Sequence, residues 1–394
     1  MSDQTIDAGT DPAGVVPAGP SPAAAPSPLV QLPGAVGAPT AQHYGDPVAE
    51  QRALAAGRAL VDLSDRGVVT LTGPDRLRLL DSLTSQSLVG LAPGASAETL
   101  LLDPNGRIEH AMHVVDDGET AWLIVEGSEA EAVASWFARM RFMMQVEVVD
   151  ASGEWAVIGA MVPAGAEPGI PAAAPNGHAL VWRDPWASVQ AGGWQYAASP
   201  AHPAADYPAA ELIVERAVLA ELAGLARAGA VRLAGSLAAD ALRVAAWRPR
   251  FAAEVDEKSI PHETDWLRSA VHLAKGCYRG QETVAKVHNL GRPPRRLVML
   301  HLDGSDALLP APGSAVHAAD ADRAEVGRVT SVARHHELGP IALAIVKRSL
   351  DVAAPLVVPV DGVDVAAAQE VIVPPEPGQA ADVPRIPRLG AKSR

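Results

Sequence analysis

The chain has 394 residues, a formal net charge of −14 and a sequence pI near 5.3. This acidic balance argues against stable binding of nucleic acid, which needs a basic surface. The single cysteine excludes an intramolecular disulfide and a four-cysteine metal or iron–sulfur site, and no apolar run is long enough to cross a membrane.

The first predicted segment is a disordered tail over residues 1–40. It consists mainly of Ala, Pro, Gly and Ser, and it can bury too little apolar surface to offset the entropy of ordering. The segment has no Lys or Arg to begin a secretory signal, so a cytoplasmic location is expected. Order is expected from about His43, with a short helix over 46–57.

Strands and helices alternate in the next part of the chain. Residues 67–73 are predicted to form a strand, with a helix beginning at Pro74. Residues 99–115 are predicted to form two strands joined by a tight turn at 103–106, followed by a strand over 122–126 and a helix over 129–141. The mixture of hairpins and helices predicts an α+β fold rather than a doubly wound sheet.

A second unit is predicted to begin near Trp155. It contains a surface loop over 163–176, a helix over 218–229 and another helix over 236–246. Beyond Arg296 the texture changes to short β-rich runs separated by turn residues, which predicts a small antiparallel barrel. The Pro-rich tail after Pro374 is predicted to be disordered.

The sole cysteine lies among glycines and basic residues, directly before a predicted helix, in the run Lys275-Gly276-Cys277-Tyr278-Arg279-Gly280-Gln281-Glu282. A thiol reacts as the thiolate, which positive neighbours and a helix N-terminus both favour. Lys275 and Arg279 are the candidates for the positive charge. The alternative is a buried, inert cysteine, which the local sequence does not exclude.

This run resembles the signature of the YgfZ family, folate-binding relatives of the glycine-cleavage T-protein that are implicated in making or maintaining iron–sulfur proteins. Three further stretches resemble that family: Asp240-Ala241-Leu242-Arg243, then Glu254 with Pro261-His262-Glu263, and Gly327-Arg328-Val329-Thr330-Ser331. The resemblance covers roughly residues 43–370. It implies two ferredoxin-like α+β domains around a central folate hole, with a C-terminal antiparallel β-barrel.

On this resemblance the chain divides into three folded regions and two tails. The first T-protein-like domain is expected at 41–153 and 230–290, the second α+β domain at 154–229, and the barrel at 291–374. The tails are 1–40 and 375–394.

The resemblance implies tetrahydrofolate, or a polyglutamylated folate, as the ligand. Arg243 is the first candidate for a folate contact, followed by Glu254, Trp194 and His110. Each has a structural alternative: a surface arginine, a turn cap, a core tryptophan and a hydrogen-bonded structural histidine. The seven basic residues from Arg268 to Arg296, against one acid, are expected to attract the anionic tail unless they form a solvated rim.

The implied function is a factor for iron–sulfur cluster assembly or repair. Cys277, at the mouth of the folate hole, would act as a thiolate and a candidate transient iron ligand. The neighbours that would shape this site are Lys275, Tyr278, Gly280, Gln281 and Glu282. No intrinsic metal site is expected. The implied partners are iron–sulfur client or assembly proteins, the effect on tRNA modification would be indirect, and the protein would be a monomer or weak dimer.

The alternative function is a folate-dependent aminomethyl or methyl transferase. Two departures from the T-protein pattern argue against it. His110 and Ala111 follow the turn where that pattern has an aspartate pair, and Val244-Ala245-Ala246 replaces its Leu-Glu-Ala. Without these carboxylates the groups that would orient an aminomethyl donor and manage its protons are missing. A conventional enzyme is therefore not the first expectation.

Overall fold

In the computed structural model of the protein, residues 26–163, 165–199, 201–320 and 322–376 are described. The first α-helix of the described chain is α1 (Pro47–Ala55), and the short strand β1 (Leu60–Asp62) follows it. Asp46 caps α1, because its Oδ1 accepts a hydrogen bond from the amide of Ala49 at 3.0 Å, and Pro47 occupies the first turn. The helix predicted over 46–57 is confirmed.

The first sheet is antiparallel, with the strand order β3-β4-β5-β2-β6. Its elements are β2 (Arg66–Thr72), α2 (Arg76–Leu83), β3 (Ser96–Leu102), β4 (Ile108–Asp116), β5 (Thr120–Glu126), α3 (Ala130–Met140) and β6 (Glu147–Asp150). Both helices cover one face through a core that includes Leu71, Leu80 and Phe137. Without the edge strand β3, the order is that of a ferredoxin-like βαββαβ unit.

The second sheet has the order β10-β1-β7-β9-β8, and its only parallel pair is β1 with β10 among the described strands. Its elements after β1 are β7 (Trp155–Met161), β8 (Val181–Arg183), β9 (Ala209–Glu215), α4 (Val218–Arg227) and β10 (Leu233–Ala234), and α5 (Ser236–Ala245) follows. The sequence-based division placed β1 and β10 in the first domain, whereas their hydrogen bonds place them in the second sheet.

A connecting region leads to the barrel through α6 (Phe251–Glu254), two 3₁₀ turns (Pro261–Thr264 and Trp266–Arg268) and α7 (Gln281–Leu290). The barrel is closed in the order β11-β14-β13-β12-β15-β16. Its strands are β11 (Arg295–Leu302), β12 (Ala315–Ala318), β13 (Glu325–His335), β14 (Gly339–Lys347), β15 (Leu356–Val360) and β16 (Val363–Val371). The predicted α+β fold with an antiparallel C-terminal barrel is confirmed.

The expected disorder of residues 1–40 is wrong for residues 26–40. Pro28–Gln31 forms a 3₁₀ turn, and Leu29 is fully buried in the core beside α4, where Leu32 joins it. A few apolar side chains thus anchor a segment whose average composition is typical of disorder. Residues 1–25 and 377–394, which include most of the two predicted tails, lie outside the described residues.

Candidate functional site

A cavity of about 930 Å³, counted with its open mouth, lies between the two sheets. Strands β4 and β5 form one wall, and β1, β7 and β9 form the other. Helix α5 and residues 248–251 line the remaining side. Small-molecule sites are commonly found in such a position, between domains or layers of a fold.

Arg243 is the only one of the four predicted folate contacts that lines this cavity. His110 does not, because side chains alternate along β4 and the inward positions are Ala111 and His113. His110 instead pairs with Glu129 on the outer side. His110 therefore does not line this cavity, and it has the hydrogen-bonded arrangement of its structural alternative.

Trp194 also lies away from the cavity. Its side chain is 47% exposed and packs edge-to-face on His288 of α7, with ring centroids 5.1 Å apart. It is neither a cavity residue nor a core tryptophan. The loop that carries Trp194 is hydrogen-bonded through its backbone to residues 267 and 273, and these bonds hold the loop at the surface.

Glu254 is buried behind Arg243 and joins α6 to the barrel. Its Oε2 accepts from Arg243 Nη1 at 3.0 Å, and its Oε1 accepts from Thr330 Oγ1 at 2.9 Å and from Ser331 Oγ. Arg243 Nη2 donates to Ser331 Oγ at 2.7 Å. Three stretches that the sequence suggested separately thus meet at one joint, where Arg243 is committed mainly to protein partners and Glu254 has no face on the cavity.

Most polar cavity residues belong to no motif that the sequence revealed. Arg250 pairs with Glu126 through two hydrogen bonds of 2.8 and 2.7 Å, and Arg66 lies 3.9 Å from Glu126 and 4.0 Å from Glu211. Burial alone would raise the pKa of Glu126, but the charges and hydrogen bonds of Arg66 and Arg250 lower it to about 2. The alternation of β4 was a signal for His113, whereas nothing local marked the others.

Two arginines of the cavity keep donors without a partner. Arg66 Nε and Arg248 Nη1 are buried and make no hydrogen bond within the described residues. Buried donors are normally satisfied, so each such group calls for an explanation. A ligand with acceptor oxygens or nitrogens would satisfy both, and the neighbouring carboxylates would accept from its amino groups. The lining thus combines guanidinium donors with carboxylate acceptors.

The cysteine loop lies elsewhere. Cys277 is exposed, and no residue from 275 to 282 lines the cavity. Lys275 is buried and donates to the carbonyl oxygens of Thr84 and Gln86 at 3.0 and 2.7 Å and to that of Asp81. Its ammonium thus ties the loop to the end of α2, and its burial lowers its pKa. Cys277, which was expected at the mouth of the folate hole, thus does not line this cavity.

The other members of the motif also have structural partners. Arg279 pairs with Glu109, and Gln281 Nε2 donates to the carbonyl of Lys275 at 3.1 Å. Tyr278 is buried in the core shared with the barrel, and burial raises its pKa above the ordinary value. Glu282 is exposed in the first turn of α7. Arg279, Gln281 and Tyr278 thus hold the loop, whereas Cys277 and Glu282 are exposed.

Gly280 is the position that fixes the loop. Its φ is +83°, and a Cβ there would lie 2.6 Å from the carbonyl oxygen of Asp103 and 3.0 Å from Gly106 Cα. The loop is thereby packed on the β3–β4 turn, so β4 carries the loop contact at its start and cavity residues in its middle. A Cβ on Gly276 would meet nothing within 4 Å.

The basic run from Arg268 to Arg296 does not form one exposed face. Arg268 and Arg296 are buried, and Arg295 pairs with Asp256 and Glu263. Lys275 and Arg279 also have protein partners. These basic residues therefore do not form the exposed positive surface that was expected to attract an anionic tail. In the described ranges, no cluster of His, Cys, Asp or Glu could hold a metal ion, and no helix could span a membrane.

Two family models match the chain. Residues 39–167 match the GCVT N-terminal domain, and residues 295–375 match the glycine cleavage T-protein C-terminal barrel domain. The first match covers α1 to the start of the loop after β7, including β4 and β5 of the cavity wall. The second covers the barrel from β11 onwards.

Three curated proteins are similar. The aminomethyltransferase of Saccharopolyspora erythraea is 27% identical over 314 residues, 78% of this chain and 83% of that protein. That of Streptomyces coelicolor is 28% identical over 326 residues, with coverages of 77% and 82%. A chloroplastic putative transferase of Arabidopsis thaliana is 24% identical over 282 residues, 70% of this chain, and the match spans 62% of that protein.

Among solved structures, the glycine cleavage system aminomethyltransferase T of Bartonella henselae has the same fold. The TM-score is 0.65 with 16% sequence identity, and the match covers 90% of this chain and 96% of the other.

Proposed function

Because the chain belongs to the glycine cleavage T-protein family, we propose that it binds a reduced folate in the central cavity and acts in iron–sulfur cluster assembly or repair through Cys277. Membership in a folate-using family supports a folate ligand in general. Tetrahydrofolate or a polyglutamylated derivative is the form that we propose, and the YgfZ-like run around Cys277 suggests the iron–sulfur role.

The cavity supports the folate part. Arg66 and Arg248 would donate to acceptor atoms of the ligand through the nitrogens that have no partner in the described structure. Glu211 and Glu126 would accept from its amino groups. When bound, the folate carries the one-carbon chemistry, and the protein supplies binding, orientation and a surface of controlled polarity.

The observation that carries the iron–sulfur part is the contrast within the cysteine loop. Lys275, Tyr278, Gly280 and Gln281 are each fixed by packing or hydrogen bonds, and the thiol of Cys277 is left exposed. The thiol is therefore not buried. An exposed thiol on this loop can release its proton to solvent, and the sulfur electron pair that this frees can bind the iron of a cluster held by another protein.

The second candidate is a folate-dependent aminomethyl or methyl transferase. The names of two relatives favour it. Against it, the cavity position on β4 that precedes His113 is Ala111, which offers no carboxylate to an aminomethyl donor. A transferase activity would also give the exposed cysteine loop no role.

The folate part is tested by calorimetric titration of the full-length protein with tetrahydrofolate. The wild type should bind saturably, and Arg66→Gln should bind at least about tenfold more weakly, because a charge-assisted hydrogen bond is worth about 1.5–3 kcal/mol. Arg227→Gln, which removes an exposed arginine from α4, is the matched control. Absence of saturable binding by the wild type would sink the folate site.

The iron–sulfur part is tested in a strain that lacks the gene. Plasmid-borne wild type should restore the activities of iron–sulfur enzymes, and Cys277→Ser, which keeps shape but not thiolate chemistry, should not. Circular dichroism and urea unfolding verify that the variant is folded. Full rescue by Cys277→Ser contradicts the proposed role, and turnover of an aminomethylated carrier protein with tetrahydrofolate would instead support the second candidate.

A further inference from the structure

His113 is the one imidazole that lines the central cavity in the described residues. Its ring stacks on Trp182, with centroids 3.7 Å apart and an interplanar angle of 3°. Trp182 is itself fixed, since its Nε1 donates to the carbonyl of Ala97 at 2.8 Å. Stacking on a fixed tryptophan holds the His113 ring in one plane.

Glu211 of β9 holds the first of the two ring nitrogens of His113. The distance from His113 Nδ1 to Glu211 Oε2 is 2.7 Å. Burial alone would raise the pKa of Glu211, but the charges of His113 and Arg66 and the hydrogen bond from His113 lower it to about 2. Glu211 is therefore an ionised acceptor at neutral pH. An ionised acceptor at Nδ1 keeps a proton there and leaves proton exchange to Nε2.

The second nitrogen faces a carboxylate that is already satisfied. Nε2 lies 3.9 Å from Glu98 Oε1, beyond hydrogen-bond distance. Glu98 is fully buried and accepts from Arg248 Nη2, Trp266 Nε1 and Ser269 Oγ at 2.7, 2.8 and 2.6 Å. Its oxygens are thus committed to other donors, and Nε2 remains available to a molecule in the cavity.

We infer that His113, oriented by Glu211, is the group that exchanges a proton with a basic nitrogen of the ligand in the central cavity. This rests on the proposed function, because a reduced pterin is the ligand class that offers such a nitrogen there. The charged groups that face the His113–Glu211 pair come from the surrounding elements: Glu98 of β3, Arg66 of β2, and Asp184 and Arg248 beside β8.

The proton transfer balances without a further reactant. The Nε2–H bond of the protonated ring breaks, and its electron pair returns to Nε2. The proton forms a bond with the lone pair of the ligand nitrogen, so the positive charge passes from the ring to the ligand. Glu211 gains no proton, keeps its hydrogen bond to Nδ1–H, and acts as a positioning residue.

The test is the number of protons exchanged when tetrahydrofolate binds. It is obtained by titration calorimetry at one pH in two buffers of different ionisation enthalpy. The wild type should exchange a measurable fraction of a proton per ligand, and His113→Gln should lose that exchange. His110→Gln is the matched control, because it removes a histidine–glutamate pair from the outer face of the same strand. Equal exchange by wild type and His113→Gln overturns the inference.

A second measurement separates this inference from the folate proposal. In the free protein, nitrogen-15 NMR should show a protected Nδ1–H signal for His113 that disappears in Glu211→Gln. If the wild type binds no tetrahydrofolate, the folate proposal fails. In that case a protected Nδ1–H signal still supports the oriented histidine, and its absence overturns it.

Discussion

Asp265 is a carboxyl group that is buried without an ion pair among the residues that the structure describes. It sits between two 3₁₀ turns with φ +59°, fully buried, and accepts from the amides of Tyr196 and Ala197. Burial raises the pKa of Asp265 to about 7, although these amides and the charge of Arg268 act in the opposite direction. The left-handed backbone explains the residue type, since Asp and Asn tolerate that conformation better than most side chains.

Asp265→Asn should flatten the pH dependence of stability. Between about pH 4 and pH 7 the folded carboxyl keeps a proton that the unfolded one has lost, so the stability of the wild type falls as pH rises through this window. The slope from this group is at most about 1.4 kcal/mol per pH unit. Urea unfolding at pH 5, 6, 7 and 8 measures it. Asp306→Asn on the surface controls for the loss of one charge, and parallel curves for wild type and Asp265→Asn would contradict the argument.

At the scale of elements, the cysteine loop depends on the fit between a turn and a helix start. Gly280 begins α7 in the left-handed region and touches the β3–β4 turn so closely that no side chain fits. The neighbouring Gly276 has neither a positive φ nor a nearby atom. The backbone geometry therefore requires glycine at position 280 but not at position 276.

Gly280→Ala should destabilise the loop even though Cys277 is intact. The left-handed conformation alone costs a non-glycine residue about 1–2 kcal/mol, and the contact with Asp103 adds to this. The variant should unfold at lower urea concentration and rescue iron–sulfur enzymes poorly. Gly276→Ala is the matched control and should behave as the wild type. If both variants were equally harmless, the loop geometry would not matter for function.

Elements with local signals were predictable, and those held by distant partners were not. Asp46 and Pro47 mark the start of α1, and the 103–106 turn marks the β3–β4 hairpin. Strands β1 and β10 have three and two residues, too few for a periodic pattern, and in the described structure β1 pairs with β10 on one side and with β7 on the other. Similarly, the β4 alternation indicates His113, but Glu211 lies 98 residues away.

At the scale of the whole molecule, the barrel is fastened to the two-sheet body at a buried polar joint. Arg243 of α5, Glu254 of α6 and Ser331 of β13 exchange hydrogen bonds at this joint, and Arg243 also donates to the carbonyl of Arg248 at 2.8 Å. The Arg248 segment lines the cavity. The joint therefore fixes the position of the barrel relative to the cavity wall that contains Arg248.

Arg243→Met should weaken the attachment of the barrel to the cavity wall more than it weakens folate binding. Removing one partner of a buried ion pair leaves Glu254 without its cation, which costs about 3–5 kcal/mol, whereas most donors of Arg243 are directed at protein rather than at the cavity. Hydrogen exchange should therefore increase in α5, α6 and β13 together. Arg323→Met removes an exposed arginine–aspartate pair within the barrel and should change exchange little. If Arg243→Met abolished folate binding while stability and exchange stayed at wild-type values, Arg243 would be a ligand contact first, and the joint would be secondary.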